Sequence, residues 1–244
     1  METTKKSQIV GIKNAGIVII CCFIVAVCIY HFILGNPTNF MNNDPNNHPL
    51  NMLGTIYKGG VIVPVIQTLL LTVLALSIER FFALRSAFGK GSLAKFVANI
   101  KEALAAGDLK KAQEICDKQR GSVANVVTAT LRKYEEMEKN TALPKEQKLL
   151  AIQKELEEAT ALEMPMMQQN LPIIATITTL GTLMGLLGTV IGMIRSFAAL
   201  SAGGGADSMA LSQGISEALI NTAFGILTGA LAVISYNYFT NKID

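Results

Sequence analysis

The sequence predicts an all-α membrane protein that crosses the bilayer four times and carries a polar helical domain between its second and third crossings. Three observations predict it. Half of the 244 residues are hydrophobic. They gather in four blocks, each long enough for a helix to cross a hydrocarbon core of roughly 30 Å, which takes about 20 apolar residues. The charges gather between the second and third blocks. No stretch reads convincingly as a strand, because the β-branched runs at 61–63 and 123–127 each lie inside a helix-length pattern.

The first block, residues 15–34, holds no charge. A retained transmembrane helix is expected there. A cleaved signal peptide is the alternative, since Lys5, Lys6 and Lys13 precede the block, but no small-residue cleavage pattern follows at Leu34-Gly35-Asn36-Pro37. Cys21, Cys22, Cys28 and Cys116 have neither metal nor disulfide spacing and read as small apolar filler. Residues 35–59 are rich in Asn and Pro, the composition of an irregular connection, with a short helix expected at 50–57.

The second crossing is placed at 60–84, with Glu79 and Arg80 at its polar end and Arg80 expected to snorkel toward the interface. Residues 85–170 read as a chain of helices. Ser92 is placed to cap 93–105, Gly107 breaks that helix, Asp108 caps 109–119, Gly121 breaks again, and Ser122 starts a helix to about Lys139. Pro144 opens an amphipathic run in which Leu149, Ile152, Leu156, Ala159 and Leu162 recur at helical spacing. This run is expected to pass directly into the third crossing, kinked at Pro165 and Pro172. Its charged face, from Lys145 to Glu158, reads either as solvated surface or as a contact between subunits. The third crossing is placed at 171–199, a turn at 200–208, the fourth crossing at 209–240, and a tail at 241–244.

Orientation follows from the distribution of charge, more than from the net value of +3. Lys and Arg flank the first block on its N-terminal side and crowd 85–170, whereas 35–59 has Lys58 alone and 200–208 has none. By the positive-inside rule residues 1–14, 85–170 and 241–244 are expected to be cytoplasmic.

The candidate functional residues lie in the last two crossings. Gly181, Gly185, Gly188 and Gly192 make a stripe along one side of a helix, where a neighbouring helix can approach closely. Thr178, Thr182 and Thr189 share a flanking face, with Ser196 further on. They read either as back-bonded packing residues or as the lining of a polar route. In the fourth crossing Gly214, Ala218, Thr222, Gly225 and Gly229 form a small-residue face, with Glu217 and Asn221 one turn apart beside it. An ionised carboxylate at mid-membrane costs about 2.5–3.5 kcal/mol on insertion scales. Glu217 is therefore expected to face an interior route, or to sit near the outer interface and pair with a cation, for which Arg195 is the candidate.

The runs Gly185-Leu-Leu-Gly-Thr-Val-Ile-Gly-Met-Ile-Arg-Ser-Phe197 and Gly214-Ile-Ser-Glu-Ala-Leu-Ile-Asn-Thr-Ala-Phe-Gly225, with Ile78-Glu-Arg-Phe81, resemble the signatures of the MotA/TolQ/ExbB family over about residues 60–240. Family members of the ExbB and TolQ type have three crossings, so the first block here is an additional one. The resemblance implies a ring, five copies in ExbB-like members, around two copies of an ExbD-like single-span partner that carries an intramembrane Asp. It also implies a TonB-like coupler. Thr189 and Thr222 match hydroxyls facing the partner's Asp, and Glu217 matches the family's intramembrane Glu. ExbB and TolQ are favoured over a flagellar stator by that Glu. An enzyme is not expected: the two histidines are His31 and His48, and no G-x-S-x-G elbow, H-E-x-x-H helix or phosphate loop occurs. No cofactor, metal or nucleic-acid partner is called for, and membrane lipid is the expected surrounding.

Overall fold

The structure is a computed structural model that describes residues 14–202 and 208–243. The Lys5, Lys6 and Lys13 cluster, the Gly203-Gly204-Gly205 turn and Asp207 lie outside the described residues. Among the described residues every extended regular element is helical: α1 (Ala15–Cys28), α2 (Met52–Tyr57), α3 (Ile62–Ala87), α4 (Leu93–Ala105), α5 (Leu109–Gln119), α6 (Ser122–Lys139), α7 (Lys145–Gln168), α8 (Leu171–Ala202) and α9 (Ser208–Ile243). Four helical stretches are long and apolar enough to cross a membrane: Ala15–Leu34, Ile62–Ala87, Leu171–Ala198 and Leu211–Ile243. The protein is a multi-pass, all-α membrane protein. The chain divides into two compact units.

The polar unit spans residues 79–169. Its helices α4, α5, α6 and α7 pack in sequence order. Phe96, Ile100, Ala103, Ala112, Cys116, Ala124 and Leu131 form its buried core. Its helix ends follow the local chemistry, because unpaired terminal N–H groups need acceptors. The Asp108 carboxylate accepts from the Lys111 N–H at 2.9 Å. Ser92 occupies the cap position of α4 in an extended backbone but makes no side-chain cap bond.

Two expectations fail in this unit. Arg80 does not snorkel: it is completely buried. Its Nε donates to Glu79 at 2.6 Å, its Nη2 is also ion-paired with Glu79, and its Nη1 donates to the carbonyls of Met166 and Met167 at 3.3 and 3.4 Å. A helix leaves its last four carbonyls without intrahelical donors, and the guanidinium fork supplies two of them at the end of α7. Nor does α7 present its leucines as one inward stripe. Ala159 is buried and Ile152 half-buried, while Leu149, Leu156 and Leu162 are exposed on the flanks. The inward face also takes Glu163, which accepts from Asn125 Nδ2 at 3.1 Å.

The continuous run into the third crossing is also absent. Helix α7 ends at Gln168, and Asn170 takes φ 66° before α8 begins. Pro165 stays inside α7. Asn is among the few residues that adopt the left-handed region readily, and Pro172 falls in the first turn of α8, where its missing N–H costs nothing.

The membrane unit comprises residues 13–78 and 170–242. Helix α1 continues as a wider-wound turn, Ile29–Leu34. The connection after it is ordered by its own polar side chains. Asn39, 5% exposed, donates to the carbonyls of Ile33 and Leu34 at 2.7 and 3.0 Å and accepts from Asn51 at 2.9 Å. Asn51 in turn caps α2 by accepting from the Gly54 N–H at 2.9 Å. The Tyr30 and Tyr57 rings stack with centroids 4.7 Å apart, and buried Phe40 meets Tyr57 edge-on at 5.5 Å. Lys58 donates to the Asn46 carbonyl at 3.0 Å and lies over the Phe40 ring. Burial pulls its ammonium pKa down, opposed by the Asp44 carboxylate. A cleft of about 150 Å³ separates His48, Pro49 and Lys58 from Ser212, Gln213 and Ser216 of α9.

Candidate functional site at the crossing of α8 and α9

Helices α8 and α9 meet backbone to backbone, and glycine makes this possible. A methyl built on Gly225 would lie 2.6 Å from Gly185 Cα and 2.7 Å from the Gly181 carbonyl oxygen. One built on Gly192 would lie 2.7 Å from the Gly214 carbonyl and 2.9 Å from the Ala218 nitrogen. Gly181 faces Gly229 and Thr228, Gly188 faces the Asn221 side chain, and Gly214 faces Ser196. Such contacts are far inside the ordinary carbon separation of about 3.5–4.0 Å. Without Cβ atoms the two backbones gain dispersion contacts that larger residues would prevent, the usual basis of helix association in lipid.

The hydroxyls divide between this seam and its rim. Ser196 is fully buried in the seam, donating to the carbonyls of Gly192 at 3.1 Å and Leu211 at 3.3 Å. Thr178 donates to the Ile174 carbonyl at 3.3 Å. Thr182 is exposed and donates to the Thr179 carbonyl at 2.8 Å. Thr189 of α8 and Thr222 of α9 are hydrogen-bonded to each other across the rim. Both also approach the Gly185 carbonyl, at 3.2 and 3.5 Å. Two hydroxyls have two protons: one is shared within the pair and one goes to Gly185. Their remaining lone pairs stay open on a half-buried surface, so the pair can accept a hydrogen bond from a further group.

Toward the N-terminal end of α9, Glu217 is paired with Arg195 at 2.7 Å. The cation that meets this acid is Arg195. Asn221, fully buried, donates from Nδ2 to the Gly59 carbonyl at 2.8 Å. Its Oδ1 has no hydrogen-bond partner among the described residues. The structure therefore brings Glu217 and Asn221 onto the turn before α3, a neighbour invisible in the sequence because it lies more than 150 residues away along the chain. The small residues Gly59 and Gly60 were its one signal. No group of His, Cys, Asp and Glu that could hold a metal ion occurs among the described residues.

Residues 120–244 match the sequence profile of the MotA/TolQ/ExbB proton channel family. The chain belongs to that family. The matched stretch contains α6 to α9, and so both helices of the seam. An ExbB-like protein of Synechocystis sp. is 33% identical over 193 residues, covering 76% of this chain and 69% of its own length. A protein of Methanothermobacter thermautotrophicus described as an ExbB homolog is 26% identical over 80% of this chain and 66% of its own. The Tol-Pal system protein TolQ of Haemophilus influenzae is 34% identical over 34% of this chain and 36% of its own. A second ExbB-like Synechocystis protein is matched over 41% of its length; the chain thus spans between about a third and two thirds of these relatives. As a MotA/TolQ/ExbB protein it carries its seam, hydroxyl pair and membrane acid in the family's matched region, while α1 and the connection after it lie outside the profile match.

Proposed function

We propose that the protein is an ExbB-like subunit of an inner-membrane proton-driven motor. Copies of it, five on the family pattern, form a ring around ExbD-like single-span helices, and proton flow energises a TonB-like coupler for outer-membrane transport. Both termini and residues 85–170 lie in the cytoplasm, a reading supported by the excess of Lys and Arg in these segments. The chain is not an enzyme; it supplies the wall along which another chain's acid takes up and releases a proton. The observation that carries this reading is the Thr189–Thr222 hydroxyl pair, fixed at the rim of a glycine seam with acceptor capacity to spare. A protonated carboxylic acid on an adjacent helix would find an acceptor there. The free energy at stake is about 2.3 kcal/mol per proton at 100 mV, comparable to one or two such hydrogen bonds.

The TolQ relative supports a second reading, a subunit of an envelope-constricting complex built on the same machinery. Proton entry into liposomes, measured with a trapped pH dye, tests the shared core. Flux is expected only when the ring chain and its partner are reconstituted together, and Thr189→Val with Thr222→Val is expected to reduce it severalfold while the complex still assembles. Unchanged flux in an assembled double variant would remove the basis of the proposal. Deleting the gene and scoring iron-siderophore uptake against detergent sensitivity separates the ExbB from the TolQ reading.

A further inference from the structure

We infer that the Gly59–Gly60 turn is a positioning element for the Glu217 carboxylate, and that the first helix acts on the ion route through this turn. The inference rests on the reading above and adds to it that Glu217, paired with Arg195, borders that route.

The turn lies directly on the acid. Gly60 takes φ +76°, and a Cβ there would fall on the Glu217 carboxylate group. Any other residue would be strained by the backbone, and its Cβ would have to displace the carboxylate. One turn along α9, Asn221 commits its amide to the same turn through the Gly59 carbonyl. The amide is buried with its oxygen unsatisfied, an arrangement that costs free energy in a low-dielectric site. Glu217 is thus covered from two sides by different means. Arg195 supplies charge, but its side chain is 52% exposed, whereas that of Glu217 is 6% exposed. The carboxylate is thus more enclosed than its cation, and the turn contributes part of that cover.

The turn is in turn fixed from upstream. Tyr57 precedes it by two residues, stacks on Tyr30 of the first crossing, and accepts from the Tyr30 hydroxyl at its carbonyl, 3.2 Å away. A continuous set of contacts therefore runs from Tyr30 through Tyr57 and Gly59–Gly60 to Asn221 and Glu217. Helices with three crossings alone would lack its first member.

The test reads exposure of the acid and not transport. In membrane vesicles holding the full complex, the rate of Glu217 modification by a membrane-permeant carbodiimide is followed by mass spectrometry, with Glu217→Gln as the blank. Asn221→Ala is expected to speed modification about three- to tenfold, the population change that one lost hydrogen bond brings, and Gly60→Ala, whose methyl would displace the carboxylate, is expected to speed it at least as much. Tyr30→Phe keeps the ring stack, loses only the hydroxyl, and is expected to move the rate in the same direction by less. Leu150→Ala, at an exposed position of the polar unit, is expected to leave it unchanged. Wild-type rates in Asn221→Ala and Gly60→Ala, or an equal rise in Leu150→Ala, would overturn the inference. Flux measured in the same vesicles keeps the two claims apart. Absent flux with a responsive label removes the motor reading and leaves the turn, whereas intact flux with an unresponsive label removes the turn alone.

Discussion

Gly225→Ala is the sharpest probe of the seam because its sign is diagnostic. In an uncrowded helix the change would stabilise by about 0.8–1 kcal/mol through propensity. Here the new methyl would meet Gly185 Cα at 2.6 Å and the Gly181 carbonyl at 2.7 Å, and both neighbours are backbone. No side chain can rotate away, so the helices must separate by about 1 Å to restore ordinary contact. Overpacking of this kind costs about 1–3 kcal/mol, and separation also stretches the Thr189–Thr222 bond. We expect a net loss of about 1–2 kcal/mol. Gly181→Ala, whose methyl would first meet an atom at 3.1 Å, should lose less. Helicity followed through a denaturing-detergent titration in mixed micelles measures both. An unchanged or raised midpoint for Gly225→Ala would refute the close approach and the reasoning built on it.

Arg80→Met should destabilise the polar unit by about 3–5 kcal/mol, since it takes the buried guanidinium away from Glu79 and from two α7 carbonyls; thermal unfolding of Arg80→Met beside the Glu79→Gln/Arg80→Met double variant should show partial recovery in the double. Burial pushes the Cys116 thiol pKa up, with Thr128 opposing. The unfolded chain therefore loses its thiol proton first, so stability is full below the ordinary thiol range and falls as pH rises through it; Cys116→Ala should flatten that fall in a pH series of unfolding curves. Asn39→Leu removes three side-chain hydrogen bonds and should loosen the connection by about 2–3 kcal/mol, seen as faster protease cleavage between α1 and α2.

The helical class was legible because membrane length and the 3.6-residue period leave few alternatives. The limits of α4, α5 and α6 were legible because Gly107, Asp108 and Gly121 punctuate a polar stretch, where local chemistry decides. Three features were not legible, two of them because their partners lie elsewhere in the chain and one because a single residue's backbone decides it. Arg80 lies 86 residues from the Met166 carbonyl it serves, so the sequence showed only a charge at a membrane boundary. The break at Asn170 depends on a single left-handed residue, and Pro165 and Pro172 pointed to a bend instead. The leucines of α7 follow helical spacing, yet their face is set by where α6 lies, with Ala159 and Glu163 inward. At the candidate site the glycine spacing revealed a close-packing side, while the partition between seam and rim was beyond it. Ser196 and Thr189 share a heptad position and end in different surroundings, the first enclosed and the second half-open.

A seam made of backbone behaves as a single mechanical part. Side chains can swap rotamers to absorb a displacement, but peptide groups in contact have no such slack. The pair α8–α9 must then move as one blade, with the gap between its two hydroxyl-bearing positions held constant like the jaws of a fixed gauge. Any group that packs against the pair would meet a wall of fixed spacing and would have to do the adapting itself.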